Sequence, residues 1–151
     1  MYRRILVPID GSDTAQRGLQ EALGLAKAFD SSLVLLHVVE VYPMMMEMAS
    51  ATTWELVTTD LRQHGEQVLE RAHDAAKAAG VASETHLEDA AAARVCDVIV
   101  DQAREHRCDL IVMGTHGRRG IEHAMIGSDA ERVIRMSPVP LLVVTAPTIT
   151  A

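Results

Sequence analysis

The chain is short of cysteine, of lysine, of positive charge and of long apolar runs. Its 151 residues include two cysteines, Cys96 and Cys108. They form no CxxC pair, and their spacing fits no common zinc-ligand pattern. This excludes a disulfide-stapled miniprotein; one disulfide between them is open to the sequence, but two buried free thiols in a reducing compartment are the favoured expectation. Lys plus Arg total 14 against 21 for Asp plus Glu, a net charge of −7. The longest basic runs are the pairs Arg3-Arg4 and Arg118-Arg119. Such a chain gains little from counterion release, so nucleic acid is not an expected partner. No apolar stretch approaches the length of a membrane span. The run within Met1 to Asp10 is too short for a signal-peptide core, and no A-x-A site follows it. The expectation is a cytoplasmic protein without membrane association.

What is present is an apolar content of 48% with 23% charged residues. That suffices for the core of one domain, taken as residues 1–151. Short apolar runs alternate with helical patterns. Ile5 to Ile9 reads as a strand covered on both faces. Asp13 with Gln16 resembles a capping box, and Leu19, Ala22, Leu23 and Ala26 follow at helical spacing. Leu33 to Val39 is a second strand. A long helix is predicted from Trp54 to Ala79, with Leu61, Val68, Leu69, Ala72, Ala76 and Ala79 on its buried side and Gly80 as its terminating glycine. Val81 to Leu87 reads as the third strand, and Val95, Val98, Ile99 and Ala103 mark a third helix. Asp109 to Met113 is the fourth strand. A helix over Ser128 to Met136 is stopped by Pro138-Val139-Pro140, and Leu141 to Val144 is the fifth strand. Strands separated by helices imply right-handed parallel crossovers, hence an open α/β sheet with helices on both faces. Ligands of such sheets bind beyond the carboxyl ends of the strands. That rule nominates Asp10 to Asp13, Val38 to Pro43 and Met113 to Gly117.

The strongest chemical signal is Gly114-Thr115-His116-Gly117-Arg118-Arg119-Gly120, completed by Gly127-Ser128. Glycines let backbone N–H groups approach an anion, and a helix start adds donors and a favourable dipole. Strand, glycine loop and helix start together read as a phosphate cradle. The plainer reading is an ordinary loop with Ser128 as a helix cap. A Walker A motif is excluded, because the only lysines, Lys27 and Lys77, lie in helical patterns elsewhere. A Rossmann fingerprint is excluded too, since the first strand–helix turn carries only Gly11.

These residues resemble the universal stress protein family in its single-domain, UspA-like form. The likeness runs from Tyr2 to about Thr145. It rests on ILVPIDGS (Ile5 to Ser12), LLHVV (Leu35 to Val39), DLIVMGTHGRRG (Asp109 to Gly120) and GSDAERV (Gly127 to Val133). Gly114, Gly117, Gly127 and Ser128 fill the G-x2-G-x9-G-[S/T] pattern of the family's nucleotide-binding branch. The resemblance implies a five-stranded parallel sheet of order 3-2-1-4-5. It implies a homodimer paired through Leu141 to Val144, and ATP or another adenine nucleotide as ligand. By position Pro8 and Asp10 would contact the adenosine end and Val38 the adenine, while Met113, Gly114, Gly117, Gly127 and Ser128 would hold ribose and phosphates. Two features depart from the family pattern. Asp129 replaces an apolar or small residue, and Glu88-Asp89-Ala90-Ala91 replaces a glycine-containing turn. A carboxylate at Asp129 would weaken ATP by about 1 kcal/mol at high effective dielectric, and Mg²⁺ would turn that repulsion into a bridge.

Other candidates carry less. Asp10 also suits an Asx-turn before Gly11. His37 reads as a core histidine with one satisfied nitrogen, and His116 and His123 flank the glycine loop. Met44 to Met48 suggest a lid, a partner surface or a loosely packed loop. No nucleophile–base pair is visible. Three functions therefore compete. A nucleotide-binding stress-response regulator with slow or no hydrolysis leads, ahead of an interaction module with a decayed site. An ATP-cleaving or adenylyl-transferring enzyme is opposed by the lack of a second domain for a second substrate.

Overall fold

The computed structural model describes residues 1–41, 50–91, 93–115 and 126–145. Within them the strands are β1 (Arg4–Pro8), β2 (Ser32–Val39), β3 (Ser83–Asp89), β4 (Leu110–Gly114) and β5 (Leu141–Val144). The helices are α1 (Asp13–Phe29), α2 (Ala51–Ala78), α3 (Val95–Glu105) and α4 (Ser128–Met136). All strand pairs are parallel, and the order is β3-β2-β1-β4-β5. The expected topology is the observed one.

Alternate residues of the central strands feed two cores, as a period of two requires. Ile5, Val7, Leu33 and Leu35 face α1 and α2, where they meet Leu19, Ala22, Val68 and Ala72. Leu6, Val34, Leu36 and Ile111 face α3 and α4, where they meet Cys96, Ile99, Ala103 and Val133. Each large aliphatic side chain so buried contributes about 1.5–3 kcal/mol. On α2, Leu61 and Ala79 are only half-buried, whereas Val68, Leu69, Ala72 and Ala76 are buried as predicted. Cys96 and Cys108 are buried free thiols.

The helix ends differ in detail from the sequence pattern. Gly80 has φ +72°, its N–H donates to the Lys77 carbonyl at 3.0 Å, and the Val81 N–H reaches the Ala76 carbonyl at 2.9 Å. That is the paired termination expected of a glycine after a helix. At the start of α1 the cap is Ser12, not Asp13. The Ser12 N–H donates to Asp10 Oδ1 at 2.9 Å, which holds Ser12 extended, and its Oγ accepts the Ala15 N–H at 3.2 Å. Asp13 falls in the first turn. At α4 the cap is Gly127, not Ser128, because Gly127 is extended and its carbonyl accepts the Glu131 N–H at 2.9 Å. Strand β3 begins and ends two residues later than its weak alternation suggested. It is an edge strand with little burial on either face, so few apolar residues mark its ends. Strand β4 likewise runs one residue later, ending on Gly114, and β1 stops at Pro8 rather than Ile9.

Candidate functional site

The crevice forms because β1 and β4 pair only at Ile5–Leu110 and Leu6–Ile111. Proline explains the early stop. The Ile9 N–H donates to β2 at Leu36 (2.8 Å), so the preceding residue's N–H would point toward β4. Pro8 has none, and the next rung cannot form. Beyond it the two strands lead into different connections. This is the switch point where open α/β sheets take ligands. Pro8 and Asp10 lie on its β1 side, Val38 at the end of β2, and Met113 and Gly114 at the end of β4.

The two halves of the glycine motif are brought together. The Thr115 N–H donates to the Val144 carbonyl at 2.9 Å, and the Gly127 N–H donates to the Thr115 carbonyl at 2.8 Å. Residues 114–115 and 127 thus meet although eleven residues separate 115 from 127 in sequence. Ser128 is exposed in the first turn of α4, and that helix's cap residue, Gly127, has no side chain to cap it. A helix start whose cap residue brings no side chain leaves room for an anion at its first turn. Gly117, with His116, Arg118, Arg119, Gly120 and His123, lies outside the described residues, as do Met44 to Met48.

Gly114 has a packing role that spacing did not reveal. A Cβ there would sit 2.7 Å from the Thr14 backbone carbon and 2.9 Å from the Thr14 Cβ. The first turn of α1 rests directly on the end of β4. Asp10 makes the Asx-turn contact, with Oδ1 on the Ser12 N–H. Val38 is half-buried against the α3–α4 core, which also buries Met113. His37 is a core histidine, its Nδ1 2.7 Å from the Ile9 carbonyl. Close by, the buried Nε2 of His64 on α2 has no hydrogen-bond partner among the described residues. The sequence gave no reason to single out His64. Its ring meets His37 edge-on, with centroids 6.4 Å apart. A hollow of about 290 Å³ opens on the α1–α2 side of the β1–α1 turn, lined by Gly11, Ser12, Asp13, Gln16 and Arg71 among others. Gly11, Ser12 and Asp13 belong to the strand-end set nominated from the sequence, whereas Pro8, Asp10, Val38, Met113, Gly114, Gly127 and Ser128 do not line this hollow.

Asp129 is half-buried, and its carboxyl is pushed above the ordinary aspartate range, first by burial and then by the charge of Glu40. Glu40 directly follows β2, so the end of that strand brings a second carboxylate near Asp129. The Asp129 carboxylate also accepts the backbone N–H of Cys96. Cys96 sits in the first turn of α3, whose cap position, Arg94, makes no side-chain cap bond. Asp129 thus caps a neighbouring helix, which gives this carboxylate a structural use. Burial raises both thiols, Cys108 to about 11, so neither is an activated thiolate. Among the described residues no nucleophile–base pair is assembled at the crevice.

The sequence pattern of the Universal stress protein family matches residues 1–145. A universal stress protein of Methanocaldococcus jannaschii is 35% identical over 147 residues, covering 97% of this chain and 84% of its own length. A universal stress protein family structure from Burkholderia pseudomallei is similar at TM-score 0.76 and 31% identity, over 96% of this chain and 97% of that one. A universal stress protein in complex with cAMP is similar at TM-score 0.68 and 26% identity, over 95% of this chain and 97% of that one. No helix among the described residues is long and apolar enough to cross a membrane.

Proposed function

This chain belongs to the universal stress protein family, and on that premise we propose that it is an adenine-nucleotide-binding regulator of the stress response. The observation that carries the reading is the closure of Gly114–Thr115 onto Gly127–Ser128 beside the opened β1–β4 crevice. Adenosine would lie against Pro8, Asp10 and Val38. Phosphate would meet the backbone of Gly114, Gly117, Gly127 and Ser128, near Met113. The similar structure in complex with cAMP supports an adenine ligand. Glu40 and Asp129 make the crevice acidic. They favour a ligand of low charge, such as AMP or cyclic AMP, or ATP as its Mg²⁺ complex, over free ATP. Any hydrolysis is slow, because nothing described there positions a water. Output passes through conformation or partner choice, from a cytoplasmic homodimer joined at β5. That strand is a sheet edge, and Leu142 on it is exposed.

Calorimetric titration of nucleotide-free protein with AMP, cyclic AMP, ATP and Mg-ATP tests this. Gly117→Val should abolish binding with an unchanged circular dichroism spectrum, because its side chain would block the phosphate. Undiminished affinity in that variant would sink the cradle. The rival reading, an interaction module with a decayed site, is favoured by Asp129 and Glu40; it predicts that no nucleotide binds, with or without Mg²⁺.

A further inference from the structure

Glu84, His86 and His106 converge at the amino end of the sheet, away from the crevice. Glu84 and His86 are two apart on edge strand β3 and pair with Val34 and Leu36 of β2. Paired residues face the same side, so both lie on the face that carries α3. His106 terminates α3. One ligand atom from each of the three residues can be chosen so that all lie within 4.8 Å of one another.

We propose that Glu84, His86 and His106 form a site for a divalent late first-row metal ion, with Zn²⁺ the best fit. Three observations support it. The first is distance. Glu84 Oε1 lies 3.3 Å from His86 Nε2 and 3.5 Å from His106 Nδ1. Both are long for N–H···O bonds, which cluster near 2.9–3.0 Å. They match the spacing of roughly 3.3–3.4 Å between neighbouring ligands of a tetrahedral ion with bonds of about 2.0–2.1 Å. The second is tautomer. The Glu105 carboxylate can only accept, so Gln102 presents its Nε2 there, at 2.9 Å. Gln102 Oε1 then faces His106 Nε2 at 3.0 Å, and that nitrogen must carry the hydrogen. A neutral His106 is left with its Nδ1 lone pair turned toward a carboxylate oxygen. A cation between the two satisfies both.

The third is support around the ligands, which metal sites need to hold their geometry. Gln102 orients His106. Arg4 donates through Nη2 to Glu84 Oε1 at 2.5 Å and through Nε to the His106 carbonyl at 2.9 Å. The rings of His86 and His106 lie against each other, with centroids 3.9 Å apart. Two imidazoles and one carboxylate suit Zn²⁺ and its neighbours. Glu84 is exposed and both histidines are half-buried, so a fourth position is open to water. The charge of Arg4 makes this a site of moderate affinity.

The test is calorimetric titration of tag-free protein with Zn²⁺, together with the visible absorption of added Co²⁺. One ion per chain and the intense bands of tetrahedral Co²⁺ are expected. His86→Ala and Glu84→Gln, both near the surface, should each weaken Zn²⁺ at least tenfold. His73→Ala removes an exposed histidine that pairs with Ser83, and should change nothing. Absence of Zn²⁺ binding, or binding that survives His86→Ala and Glu84→Gln, overturns the site. The nucleotide reading concerns the other end of the sheet and stands or falls separately.

Discussion

The two ends of the sheet differ in how the strands meet: at the amino end side chains tie neighbouring strands together, while at the carboxyl end β1 and β4 part. The Asp109 carboxylate accepts the N–H groups of Arg3 and Arg4 at 2.9–3.1 Å, and Ser31 Oγ donates to the Tyr2 carbonyl at 2.6 Å. Helices α1, α2 and α3 end there through Asp30, Gly80 and Arg107, each with positive φ. At the opposite end the β1–β4 ladder stops early and α4 begins without a side-chain cap. There the carboxylate of Asp129 is pressed upward by burial and by Glu40. On this account stability is concentrated at the amino end, and the proposed nucleotide site lies at the other.

The largest test of this contrast joins the two roles. Gly114→Val would drive a side chain into the Thr14 backbone, and overpacking of that kind costs about 1–3 kcal/mol. Urea denaturation should show that loss together with lost nucleotide binding. An unchanged midpoint would mean that α1 does not rest on β4 as described. Asp109→Ala separates the ends. It should cost about 2 kcal/mol, since the bonds lost are made to a charged group, while nucleotide affinity stays as it was. Altered affinity with unaltered stability would reverse the contrast.

A smaller effect belongs to Asp129. Asp129→Asn keeps an acceptor for the Cys96 N–H and removes the charge. It should tighten ATP in metal-free buffer about fivefold, the equivalent of about 1 kcal/mol. The pH dependence has a fixed sign. The folded carboxyl titrates above its unfolded value, so the folded state holds the extra proton between the two. Wild-type stability from this group is present below the unfolded value and is lost as pH rises through the folded one. Denaturation midpoints should therefore favour Asp129→Asn at neutral pH and converge in acid. A gain that persists unchanged in acid would refute the cause assigned to it. The smallest effect is Arg107→Gly. Arg107 holds φ +52°, where its N–H and that of Cys108 close α3 on the carbonyls of Arg104 and Ala103. Glycine carries no penalty there and should add about 0.5–1 kcal/mol of stability in thermal melts.

Periodicity and turn chemistry made most of the fold legible. Apolar runs such as Leu33 to Val39 and the helical spacing from Val68 to Ala76 survive into the structure almost unchanged. So does Gly80 as a terminator. The proposed nucleotide cradle was legible only as spacing; of its described parts, Gly114–Thr115 and Gly127 do meet. What spacing could not show is use. Gly114 serves the packing of α1, and Asp129 caps α3, because both depend on contacts between elements distant in sequence. The caps at Ser12 and Gly127 were missed by one residue, since Asp10 and the backbone set the local conformation. Glu84, His86 and His106 are invisible as a group in sequence. Only the end of α3, where His106 meets edge strand β3, unites them.

The most direct measurement is native mass spectrometry of freshly purified protein under gentle conditions. A dimer carrying one adenine nucleotide per chain is the predicted result, and its mass would name the ligand. An empty protein that also takes up neither cyclic AMP nor ATP with Mg²⁺ would contradict the account.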